Sequence, residues 1–95
     1  PWHSSILVRI AYFLQAWADE HQEAHGVVVA GDAGFRISKN PDSFVGIDIA
    51  YTAKSTPLYR EGKKVFFDAP PILAVEVLSP SDQQADIDAK IDEYL

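Results

Sequence analysis

The sequence predicts an α/β sandwich: an amphipathic helix, a set of antiparallel strands, a buried central strand and a second helix. Three observations predict it. The first quarter of the chain carries apolar residues at helical spacing. The middle switches to short β-prone runs broken by turn residues, and residues 72–78 form a nearly unbroken apolar run that opens into a second helical pattern. A final parallel strand beside residues 72–78 is the expected missing piece.

Residues 4–25 place Ile6, Ile10, Phe13, Leu14, Trp17 and His21 on one stripe, with Gln15, Asp19, Glu20, Gln22 and Glu23 opposite. Ser4 or Ser5 can cap this helix, and Gly26 supplies a residue to end it. Residues 27–30 and 35–38 read as two strands joined by a Gly31-Asp32-Ala33-Gly34 hairpin turn. Asn40-Pro41-Asp42-Ser43 breaks the chain before a strand at 45–51. Residues 52–64 read as a polar connection, and 65–67 as a short run pairing locally before Pro70-Pro71. The run 72–78 reads as a strand covered on both faces. Ser79-Pro80-Ser81-Asp82 then opens a helix with Ile87, Ile91 and Leu95 as its buried stripe.

Length and composition bound the rest. Ninety-five residues, 47% hydrophobic and 23% charged, make one globular domain. The absence of cysteine excludes a disulfide framework, a zinc knuckle and a thiol nucleophile. No apolar run reaches the ~20 residues that span a bilayer, and no signal peptide is visible, so the expected location is cytoplasmic, away from any membrane. Eight Lys and Arg against fourteen Asp and Glu give a net charge of -6. A nucleic acid would therefore need a local basic patch, a divalent cation or a segment outside the chain. There is no Met at the start or anywhere else, and the last helical pattern has no stop signal, so the domain is expected to be cut at its C-terminus.

Two acids interrupt apolar patterning. Asp48 lies between Ile47 and Ile49, and Glu76 between Val75 and Val77. Alternation gives Asp48 the face of Gly46 and Ala50, and Glu76 that of Ala74 and Leu78. An ionised carboxylate without a partner in apolar surroundings costs several kcal/mol, so it is paired, neutralised or metal-bound. Adjacent strands would set the two acids against each other unless a cation or proton intervened. One or two carboxylates suit Mg²⁺, and the peptide carbonyl after Glu76 could add a ligand. The competing reading puts each acid at a strand end with an ordinary hydrogen bond.

Lys90, early in the last helix, could point back over the strand ends and serve a water or a phosphate. It also follows Asp86 by four residues, the spacing of a stabilising surface pair. Both readings stand. Among the histidines, His21 reads as a packed residue, His3 as a cap or packing residue, and His25 as a cation at a helix end. Glu20 and Glu23 read as a solvated face. Lys39, Lys54, Arg60, Lys63 and Lys64 cluster in the middle loops, where Tyr51, Tyr59 and Phe66 could interleave as stacking surfaces.

The stretch from Pro71 through Glu76-Val77-Leu78-Ser79-Pro80 to Asp82, followed by Asp86, Lys90 and Tyr94, resembles the signature of the Uma-type endonuclease-like family. That family belongs to the PD-(D/E)XK restriction-endonuclease-like superfamily. His3, the segment 31–37 and Asp48 agree with it upstream, so the resemblance covers essentially the whole chain. It implies a restriction-endonuclease-like core over residues 1–95 and a metal-dependent endonuclease acting on nucleic acid, with DNA the expected substrate. It also implies Asp48, Glu76 and the Val77 carbonyl as ligands of Mg²⁺ (or Mn²⁺), and Lys90 as the catalytic lysine. Leu78 stands where the superfamily usually carries its lysine, and Ile47 where the family carries a proline. The rival reading is a catalytically silent nuclease fold that binds partners or self-associates into a homo-oligomer.

Overall fold

The computed structural model describes residues 2–78. Its order is α1 (Trp2–Glu20), a 3-10 turn (Gln22–Ala24), β1 (Gly26–Ser38), β2 (Ser43–Ala53), β3 (Leu58–Glu61), β4 (Lys64–Phe67) and β5 (Leu73–Val75). The strands form one mixed sheet in the order β3-β4-β1-β2-β5. This is the α/β, restriction-endonuclease-like arrangement expected from the sequence. The expected last helix and Lys90 lie outside the described residues.

Alternation along β2 gives the sheet two different faces. Val45, Ile47, Ile49 and Tyr51 point one way, and all four are buried. Helix α1 lies on this side: the Trp17 ring meets Tyr51 edge-on at 5.4 Å, and Ile10, Phe13 and Leu14 line an apolar cleft against Leu73 and Val75. Phe35 stacks on Phe67 at 4.9 Å and joins Val45 and Ile47 in the core. Each fully buried side chain of this size contributes about 2 kcal/mol. The other face carries Phe44, Gly46, Asp48 and Ala50.

Three details differ from the sequence reading. Gly31-Asp32 makes a bulge inside one thirteen-residue strand rather than a hairpin turn. Residues on both sides of it pair with the same partner, β2, so the chain has no reason to reverse there. The polar connection 52–64 contains β3, which pairs with β4 across Gly62-Lys63, Glu61 facing Lys64. Gly62 at φ 64° makes that tight turn possible. Finally, only Leu73–Val75 of the run 72–78 is strand, and it is the edge of the described sheet, whereas β2 is the strand buried on both faces.

The first helix also ends differently. The left-handed residue is His25 at φ 52°, and Gly26 instead opens β1. Gly26 is required there because the Tyr51 ring occupies the place of a Cβ. His21 is packed as expected: its ring stacks on Trp17 at 4.3 Å and Nδ1 donates to the Trp17 carbonyl. Among the described residues no helix is long and apolar enough to cross a membrane.

Candidate active site

Strand register brings the neighbourhoods of the two acids together. In the β2–β5 pair Ile49 faces Val75, Ala50 faces Ala74 and Tyr51 faces Leu73, all antiparallel. The ladder ends there, one residue before Glu76, and the next residue, Val77, reaches Asp48 through its amide. Asp48 and Glu76 are both half-buried.

The residue after Glu76 is fixed from both sides. The Val77 amide donates to Asp48 Oδ2 at 3.1 Å, and its carbonyl accepts a hydrogen bond from His3 Nε2 at 2.6 Å. This explains why β5 ends at Val75: the next amide leaves the ladder for a side chain. This bond anchors the Asp48 carboxylate through Oδ2. A carbonyl has two lone pairs, so the bond from His3 leaves Val77 able to accept another partner.

The bulge in β1 lies directly across from Asp48. Ala30 pairs with Ile49 and Ala33 with Ile47, so Gly31 and Asp32 together oppose Asp48. Both have positive φ, at 82° and 63°. Glycine adopts that conformation without strain, and aspartate tolerates it better than most residues. The turned backbone brings the Asp32 carboxylate against Gly46, on the face that carries Asp48. Bulges beside a functional group re-aim side chains in this way. Even so, among the described residues no three His, Asp or Glu side chains converge to hold a metal together.

The donors on this stretch are the Asp48 carboxylate, the Glu76 carboxylate and the Val77 carbonyl, carried by residues that the Val77–Asp48 bond ties together. All are hard oxygens, and the set fits Mg²⁺ or Mn²⁺, which bind few protein ligands and complete their shell with water and substrate. The fit is one of donor chemistry. Lys90, the expected third element, falls outside the described residues.

The cations of the middle loops divide. Arg36 forks onto Asp68 with two bonds of 2.7 Å, reaches Asp42 at 3.6 Å and stacks over Tyr59 at 3.8 Å. The hydrogen bonds from Arg36 hold the Asp68 carboxyl below the ordinary carboxylate range, and those to Asp68 raise the guanidinium. Lys39 also leans on Asp68, at 3.8 Å. Arg60, Lys63 and Lys64 remain exposed on the β3–β4 hairpin. Tyr51 is buried under α1, so it cannot offer a stacking surface. Glu20 and Glu23 are exposed, as a solvated helix face should be.

Sequence reasoning missed two contributors. His3 was expected only to cap or pack, and its partner lies 74 residues away, beyond any local signal. Asp32 was assigned to a turn, although an Asp beside Gly inside a continuous β pattern is itself a bulge signal.

The family model of Uma2, described as "Putative restriction endonuclease", matches residues 1–95. No curated protein and no solved structure matches the chain.

Proposed function

Because the chain belongs to the Uma2 family of restriction-endonuclease-like proteins, we propose that it is a divalent-metal-dependent endonuclease that hydrolyses phosphodiester bonds in nucleic acid, DNA above all. Asp48, Glu76 and the Val77 carbonyl would hold Mg²⁺ (or Mn²⁺), and Lys90 would act as the catalytic lysine. The observation that supports this reading is the bond from the Val77 amide to Asp48 Oδ2, which ties the residue next to Glu76 to Asp48 just past the pair Ile49–Val75.

Each residue has a separate task. Asp48 is oriented by the Val77 amide on Oδ2. His3 fixes the Val77 carbonyl and thereby the backbone that carries Glu76. When bound, the ion would polarise a phosphoryl oxygen and lower the pKa of a water. Lys90 would position that water or stabilise negative charge developing on the phosphate. Leu78, in the place where the superfamily usually has its lysine, cannot do this.

The test is cleavage of plasmid and single-stranded DNA by the full chain with Mg²⁺, with Mn²⁺ and with EDTA. The reading expects metal-dependent cleavage that Asp48→Ala and Glu76→Gln each abolish and Lys90→Ala reduces at least 100-fold. Absence of cleavage by the parent protein, or cleavage unaffected by Asp48→Ala, overturns it and favours the silent nuclease fold.

A further inference from the structure

A second feature occupies the same sheet face as Asp48, toward the opposite edge of the sheet. Phe44, Gly46 and Asp48 alternate along β2, so Phe44 shares the face of Asp48 about 13 Å away. Phe66 of β4 stands beside it, with ring centroids 4.7 Å apart, and Tyr59 of β3 completes the group at 5.9 Å from Phe44. The rings are half-buried and lie on the face opposite the Phe35–Phe67 core stack.

This aromatic group is held rigidly. A Cβ on Gly34 would lie 2.6 Å from Phe66 Cδ1, so only glycine lets that ring lie flat on the sheet. Arg36 covers Tyr59 at 3.8 Å and is itself locked by its fork onto Asp68. Beside Phe44 and Phe66 opens a cleft of about 620 Å³ that is also lined by Glu61, Lys63 and Lys64. Arg60 is exposed on the neighbouring strand. Three cations against one acid make this hairpin locally basic in a chain of net charge -6.

We propose that this cleft binds an unpaired stretch of nucleic acid, its bases on Phe44 and Phe66 and its phosphates on Lys63 and Lys64, on the sheet face that Asp48 shares; the Asp32 carboxylate against Gly46 lies between the two and keeps phosphates off that part of the face. The proposal rests on the nuclease reading for its link to Asp48, but the cleft's own chemistry argues for the ligand. Ammonium groups beside ring faces are the two components that sequence-tolerant single-strand binding uses. A paired base is already stacked on its neighbours and cannot lie on these rings, which selects an unpaired strand over a duplex. Glu61 faces Lys64 across the hairpin. Its carboxylate can accept from an exocyclic amino group and disfavours a phosphate at that one point.

The experiment is fluorescence anisotropy of a labelled oligothymidylate and of a duplex, titrated with the full chain carrying Asp48→Ala, in EDTA over a range of salt. The parent should bind the single strand at least tenfold more tightly than the duplex. Phe66→Leu should weaken single-strand binding about tenfold without changing the salt slope. Lys63→Gln with Lys64→Gln, both exposed, should lower that slope by about 1.4. Equal affinity for duplex, no binding by the parent, or binding indifferent to all three changes overturns the proposal. Single-strand binding without metal-dependent cleavage by the unsubstituted chain removes the nuclease reading and leaves this site standing. Cleavage untouched by the hairpin changes removes this site and leaves the nuclease reading.

Discussion

His3, on the first turn of α1, donates from Nε2 to the carbonyl of Val77 at 2.6 Å. The bond ties the start of the helix to the residue that follows Glu76, and the same residue gives its amide to Asp48. His3→Ala is expected to raise the Mg²⁺ concentration for half-maximal cleavage about tenfold, as removal of an orienting partner does. Stability should fall by about 1–3 kcal/mol, since a half-buried carbonyl loses its donor. His3→Gln, which can still donate, should recover part of the metal affinity. Metal titration and thermal melting of the three proteins check this.

Tyr51 presents the opposite situation. Its ring is buried between Trp17 and Gly26, and among the described residues its hydroxyl is buried with no hydrogen-bond partner. Such a group costs about 1–3 kcal/mol. Tyr51→Phe keeps the ring contacts and removes the hydroxyl, so the expected outcome is a gain of about 1 kcal/mol. For a domain of this size that is a rise in Tm of about 4–8 °C. Calorimetry decides it.

The Arg36–Asp68 fork predicts a pH dependence. Asp68 is held below its ordinary value in the folded protein by the hydrogen bonds from Arg36. Its contribution is therefore complete above the unfolded value, about 3.9, and is lost as pH falls through the lower folded value. Asp68→Asn should melt below the parent at pH 7 by an amount that stays constant down to about pH 5. The gap should then close under more acid conditions. A gap that widens below pH 4 would contradict this assignment.

Much of this was legible in the sequence, for definable reasons. Asp48 and Glu76 stood out because an acid inside an alternating apolar run breaks a strong pattern. The stripe through Ile10, Leu14 and Trp17 marked α1 because a helix on a sheet must bury one face. What escaped was tertiary. Gly31-Asp32 carries the residue types of a turn, and only pairing of both flanks with β2 makes it a bulge. The strand Leu58–Glu61 is short and mostly exposed, so its pattern is polar and it is defined by its partner β4. The reach of His3 to Val77 follows from the placement of α1 on the sheet, which no local spacing encodes.

Thermal melting with and without metal reads out the proposal that Asp48 and Glu76 share one divalent ion. A ligand at a hundred times its Kd stabilises a fold by about 2.7 kcal/mol, several degrees or more in a protein this small. Mg²⁺ or Mn²⁺ at millimolar concentration is expected to raise the Tm of the parent protein and to leave that of Asp48→Ala unchanged. A parent Tm indifferent to both metals, or an equal rise in Asp48→Ala, would contradict it.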